Sequence, residues 1–291
     1  MKNLLVMTKI LVPIDFSPNS LKSLDFVIEA TKNISTEIIL LWVNGIRSKD
    51  ILISENEEMS TEKAATLKME KIIEEYTPKL KNGSKIRYHI REGKVHIEVA
   101  NQAKDEDVDL VVCCTHGASG FEEAYIGSNA YRMVMYCERP ILTVRPNYRF
   151  QASSNIYVLP IDASRDTRQK VSFTCQLAKI TKSEIHVLGL HTSKKASSLK
   201  KQVDTYANQV EKFIADEGIK SKVEFKEATN ITKAIIAYAE SVNADLISIM
   251  TEQESSKWSL LLGTFAQQML SASAIPVLSI KPKNLIKTSL S

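Results

Sequence analysis

The sequence predicts an α/β fold built twice: two successive domains, each a parallel sheet with helices on both faces. Three observations carry this. Apolar strand-like runs alternate with stretches of helical period along the chain. The runs are nearly continuous, as in Ile38-Ile39-Leu40-Leu41-Trp42-Val43, the pattern of strands buried on both faces. Finally, the chain repeats itself. "KILVPIDFSPNS" at 9–20 resembles "NIYVLPIDASRD" at 155–166, both apolar strands ending in Pro-Ile-Asp-x-Ser. "VDLVVCC" at 108–114 resembles "ADLISIM" at 244–250, and "GSNAYRMVMYCERPILTV" at 127–144 resembles "GTFAQQMLSASAIPVLSI" at 263–280.

Element by element, the first copy opens with a strand over 9–15. A helix over about 18–32 follows, with Leu21, Leu24 and Ile28 at helical spacing behind Ser17 and Pro18, a plausible N-cap and first helical position. The pattern then predicts a strand at 37–43, a helix at about 60–80, a strand at 85–91 and a helix at about 95–104. A strand at 109–114, a helix at about 127–137 and a strand at 140–145 complete the copy. Asp109 to Asp245, Gly127 to Gly263 and Pro140 to Pro276 share an offset of 136, whereas Asp15 to Asp162 is 147. The second copy is therefore shorter by 11 residues before its fourth strand, and the polar stretch 44–60 is the expected source. "RPNYRFQASSN" at 145–155 reads as a linker, which places the domains at 1–147 and 152–284.

Composition narrows the class. Of 291 residues 44% are apolar and 25% charged, with a net charge of +4, an ordinary soluble mix. No basic stripe with interleaved aromatics argues for nucleic acid, and no run is long enough to span a bilayer. The four cysteines, Cys113, Cys114, Cys137 and Cys175, read as reduced buried thiols. The five histidines form no metal-ligand spacing. Asn3 to Met7 is too short for a signal segment, and the expectation is a cytoplasmic protein.

In such sheets ligands sit beyond the C-terminal strand ends where the winding reverses. Three loops matter: those after 9–15, 37–43 and 109–114. Asp15 can accept hydrogen bonds from a base or ribose; equally, Asp15 or Ser17 can simply cap the first helix. Val43-Asn44-Gly45 offers backbone groups to a base edge. Thr115-His116-Gly117-Ala118-Ser119-Gly120 leads to Gly127-Ser128, where glycines admit phosphate and helix amides favour it. The competing reading is a glycine turn with Ser128 as N-cap. No GxxxxGK[ST] or GxGxxG pattern is present, and no catalytic constellation or metal-binding carboxylate cluster stands out.

"KILVPIDFSPNS", "IILLWVN", "DVDLVVCCTHG" and "GSNAYRMVMYCERPILTV" together resemble the universal stress protein family, and the resemblance covers both copies. It implies two tandem Rossmann-like (adenine nucleotide alpha hydrolase-like) domains, each a five-stranded parallel sheet of order 3-2-1-4-5. The family's ATP-binding branch carries G-x2-G-x9-G-[ST]. This chain supplies Cys114-x2-Gly117-x9-Gly127-Ser128, so a cysteine stands for the first glycine. By that resemblance Pro13, Asp15, Ser17, Val43, Cys114, His116, Gly117, Gly127, Ser128 and Asn129 would line a site for ATP, with Mg2+ arriving through the phosphates. Trp42, where the family often has histidine, reads as core. The second copy has Met250-x2-Gln253-x9-Gly263-Thr264, two glycines short, and is not expected to bind nucleotide in the family's way. The resemblance implies a stress-response sensor or switch; the alternatives are a nucleotide-independent scaffold and, weakest, a slow ATP hydrolase. Single-domain members dimerise through the fifth strand, so a tandem chain is expected to form an intramolecular pseudo-dimer, with homodimerisation allowed but not required.

Overall fold

The computed structural model describes residues 9–45, 55–115, 126–148, 155–164, 166–192, 197–251 and 264–282. The chain divides into two units, Met1–Phe150 and Gln151–Ser291.

In unit 1 the apolar run at the start becomes β1 (Lys9–Pro13), followed by α1 (Pro18–Ala30) and β2 (Glu37–Gly45). Next come α2 (Glu55–Tyr76), a 3-10 turn (Thr77–Lys79), β3 (Lys85–Gly93) and α3 (Val95–Asp105). The unit closes with β4 (Leu110–Cys114), α4 (Ser128–Tyr136) and β5 (Ile141–Val144). The strand order is β3-β2-β1-β4-β5, every pair parallel. Ile38, Ile39, Leu40, Leu11, Val12 and Val111 are all fully buried, as continuous apolar strands between two helical layers must be.

Each boundary has a local cause. The expected strand over 9–15 stops at Pro13 because Phe16 turns left-handed, φ 62°, a conformation that costs energy for a bulky residue. Ser17 then caps α1, accepting from the Ser20 amide at 3.2 Å, with Pro18 in the first turn. The second helix begins at Glu55 rather than near 60. Its first turns are acidic, so the apolar periodicity that marks it in sequence starts late. Among its described side chains Ala65, Met69 and Tyr76 are buried. It ends at Tyr76 because Pro78 biases Thr77 away from helix. Edge strand β3 carries Lys85, Arg87, His89 and Arg91 on one face. Arg87 is bidentate to Glu106 and also bonds Glu37 at 2.6 Å. A charged edge resists pairing with other chains.

Unit 2 contains β6 (Ile156–Ile161), a 3-10 turn (Asp166–Arg168), α5 (Val171–Thr181), β7 (Glu184–His191) and α6 (Ser197–Asp216). It continues with β8 (Ser221–Glu227), α7 (Ile231–Ser241), β9 (Leu246–Met250), α8 (Thr264–Ala272) and β10 (Val277–Ile280). Its order is β8-β7-β6-β9-β10, again all parallel. The repeat extends to single hydrogen bonds. The amides of Lys9 and Ile156 donate to Asp109 and Asp245 at 3.0 and 3.1 Å. Thr115 donates to the Val144 carbonyl at 2.9 Å and Thr251 to that of Ile280 at 3.0 Å.

Candidate functional site

In unit 1 the winding reverses between β1 and β4, and the ends of β1, β2 and β4 meet the start of α4 there. Pro13 ends β1 and is half-buried. Asp15, exposed, follows two residues later. Its Oδ1 accepts from the Ser17 amide at 3.0 Å and the Ser17 hydroxyl at 2.5 Å, while its own amide donates to Ser20 Oγ at 3.3 Å. Of the two readings of this turn, Ser17 is the cap and Asp15 is its brace.

Val43 lies beyond the last β1–β2 register pair, Pro13 with Leu41. The Leu41 carbonyl accepts from the Ile14 amide at 2.8 Å. Backbone direction alternates along a strand, so the N–H and C=O of Val43 point to that same side, past the point where β1 has turned away. That is a backbone edge suited to a planar hydrogen-bonding ligand. On the other side of the turn Phe16 packs on Trp42, ring centroids 5.9 Å apart, with the Lys68 ammonium 5.1 Å from the Phe16 ring.

Cys114 ends β4 and is half-buried; Cys113 before it is buried, and burial pushes its thiol well above the ordinary range. The Gly127 amide donates to the Thr115 carbonyl at 2.7 Å, which joins the end of β4 to the start of α4. Thr115 was not singled out by sequence, although it directly follows the strand. Gly127, not Ser128, is the N-cap of α4; it provides no side-chain bond to the leading amides, and Ser128 is the first helical residue. The Ser128-cap reading is thereby corrected. Ser128 and Asn129 are exposed, so a helix start without a side-chain cap faces outward at the strand ends, an arrangement that suits an anion. Gly127 has φ −61°, open to any residue, so its value to a ligand lies in its missing side chain. His116 and Gly117 lie outside the described residues.

In unit 2 the corresponding turn is kept. Asp162 Oδ1 accepts from the Ser164 amide at 2.8 Å, and the Asp162 amide donates to Thr167 Oγ1 at 3.3 Å. Beneath it lies Lys170, 3% exposed, donating to the Thr167 carbonyl at 2.7 Å and hydroxyl at 3.2 Å. Burial pulls this ammonium down to about 8, against the favourable field of Asp162. Met250 is buried; Gln253 and Gly263 lie outside the described residues. Among the described residues no group of three or more His, Cys, Asp or Glu could hold a metal ion, and no helix is long and apolar enough to cross a membrane.

Fold and strand-end geometry define a tandem α/β protein of two parallel-stranded units, each winding outward from its first strand in both directions. The universal stress protein family model matches residues 7–145 and 155–281, and the chain belongs to that family. It is 30% identical over 153 residues to the universal stress protein MJ0577 of Methanocaldococcus jannaschii, spanning 47% of this chain and 94% of that one. Universal stress protein MJ0531 of the same organism is 28% identical over 144 residues, spanning 47% and 81%. The crystal structure of a universal stress protein from Archaeoglobus fulgidus superposes with a TM-score of 0.73 at 20% identity, covering 96% of this chain and 97% of that one. A putative universal stress protein from Pseudomonas aeruginosa gives 0.64 at 16%, covering 96% and 95%. At such identities these structures show the shared fold.

Proposed function

We propose that unit 1 binds ATP, or a related adenine nucleotide, and that the protein is a cytoplasmic stress-response sensor or switch. The observation that carries this is the Gly127 to Thr115 bond of 2.7 Å. It holds a helix start without a side-chain cap at the end of β4, the strand next to β1 in the sheet. The residues fit the ligand: Asp15 and Val43 would meet the adenine, and Gly127 and Ser128 the ribose and phosphates. His116 and Gly117 belong to the same proposal through the family motif. Mg2+ would arrive with the phosphates. The protein's part is to bind and orient; no residue is assigned to hydrolysis.

Titration of the purified chain with labelled ATP tests this. Saturable binding supports it, and nucleotide carried through purification would do so at once. A second reading, a nucleotide-independent scaffold, draws on one observation: Oδ1 of Asp15 is already engaged by Ser17. Absence of saturable ATP binding would favour that reading.

The proposal extends to assembly. β5 and β10 end the strand orders of their units and are apolar, and an apolar edge is a hazard unless covered. Pairing of the two units through these strands, an intramolecular pseudo-dimer, would cover both. Val144→Lys is then expected to speed proteolysis near 148–155; unchanged cleavage would argue against the pairing.

A further inference from the structure

The helix after the first strand turns one face to the sheet in both units. In α1 that face carries Ser20, Ser23, Leu24 and Val27, all buried. At the offset of 147 these become Thr167, Lys170, Val171 and Thr174, and all four are again buried. The hydroxyls of Ser20 and Thr167 accept the same bond, from the amides of Asp15 and Asp162, each at 3.3 Å. The two faces match position for position, and the change of charge falls at one place, where a lysine stands for a serine.

In unit 2 the Lys170 ammonium donates to the carbonyl and hydroxyl of Thr167, in the favourable field of Asp162. The matching oxygens of unit 1 are the carbonyl and hydroxyl of Ser20, and the matching carboxylate is Asp15. Among the described residues no ammonium bonds those oxygens. The Ser20 hydroxyl donates to the Ser17 carbonyl at 3.0 Å, and the Lys68 ammonium lies 5.1 Å from the Phe16 ring. Ser23 itself is fully buried, and its Oγ has no hydrogen-bond partner, which leaves its desolvation uncompensated. Unit 1 thus keeps the oxygens that unit 2 gives to a cation and adds one more that nothing in the protein satisfies.

We propose that unit 1 binds a monovalent cation, potassium or ammonium, where unit 2 places the ammonium of its own lysine. Its ligands are the Ser20 carbonyl, the Ser20 hydroxyl and the Ser23 hydroxyl, with Asp15 as counter-charge. A helix carbonyl keeps a second lone pair beside its intrahelical bond, and a hydroxyl offers two, so the cation displaces no bond described here. A single positive charge matches the single carboxylate, as Lys170 does with Asp162; a divalent ion at this depth would keep an uncompensated charge. The site needs no nucleotide and stands or falls without one.

Potassium chloride is the probe, and calorimetric melting of the nucleotide-free chain against choline chloride at equal ionic strength is the readout. The wild type should melt higher in potassium, by about 3–5 °C for each tenfold rise above the dissociation constant. Ser23→Lys supplies the ammonium from within, as Lys170 does, and its melting should no longer distinguish the two salts. Ser23→Ala serves if the lysine variant folds poorly. It should melt higher than the wild type in choline, because an unsatisfied hydroxyl is gone, yet gain less from potassium. Equal melting of the wild type in the two salts, or a potassium response left intact in the folded variants, would overturn the proposal.

Discussion

Unit 1 and unit 2 treat the end of their first strand alike and the space around it differently. Asp15 and Asp162 each accept from the amide two residues on, at 3.0 and 2.8 Å, and each gives its own amide to a hydroxyl at 3.3 Å. Below this turn Ser23 in unit 1 corresponds to Lys170 in unit 2 at the offset of 147. Ser23 Oγ is buried without a partner; Lys170 fills the same level with a buried ammonium. Trp42 corresponds in the same way to Gly189. Trp42 packs on Phe16, whereas a Cβ on Gly189 would meet the Phe225 ring at 2.4 Å. One unit fills the volume from the second strand, the other from its edge strand. The difference teaches that backbone bonds define the repeat, while the side chains around them were free to diverge.

The sharpest test of that contrast is a pair of valines. Gly127→Val should reduce ATP affinity at least about a hundredfold, because a branched side chain intrudes where phosphate must approach the helix start. Gly263→Val should leave it nearly intact. Calorimetry on both proteins decides; the reverse pattern would mean that the nucleotide sits in unit 2.

Lys170→Met comes next. With the ammonium held at about 8 in the folded protein against about 10.5 unfolded, the unfolded chain binds more protons between those values. Stability should therefore rise with pH from about 8 to 10.5 and carry its full penalty below 8. Removing the charge should stabilise unit 2 at neutral pH by about 1–3 kcal/mol, less whatever its two bonds to Thr167 contribute. Denaturant melts of both proteins at pH 7 and pH 10 measure it, and a wild-type stability flat across that range would refute the account.

Gly189→Ala should destabilise unit 2 by about 1–2 kcal/mol through overpacking against Phe225. The cost stays at the low end because that ring is 39% exposed and can swing outward. Adding Phe225→Leu should return part of the loss; thermal melts without any recovery would show that the clash is not with that ring. Smallest is Cys114→Gly, expected to tighten ATP binding by no more than about fivefold, since one small side chain is removed at the rim. Equal or weaker binding in calorimetry would clear Cys114 as an obstacle.

Much of this architecture was legible from residue order. Continuous apolar strands, the two offsets and the Ser17-Pro18 start each have a local cause that sequence displays. What stayed hidden depends on neighbours distant in the chain. Lys170 reads as an ordinary surface lysine at the start of a helix, and only packing shows it buried. Gly189 reads as a weakness in a strand until Phe225, 36 residues on, is seen across it. The packing of His96 on Tyr136 requires α3 and α4 side by side. Ser128 looked like a cap because caps are usually hydroxyls, yet the chain bends one residue earlier, where the Gly127 amide reaches the Thr115 carbonyl.

That bond at Thr115 and Gly127 has a meaning for how the chain can change. It brings the two ends of an eleven-residue excursion, 116–126, to one point between a strand and a helix. A closed loop of this kind is insensitive to its own length: doubling it costs only about 0.6 kcal/mol in closure entropy. The fold is therefore insulated from whatever the excursion contains, and segments of other lengths can be exchanged there while the sheet keeps its register. A single backbone hydrogen bond makes this corner an interchangeable part.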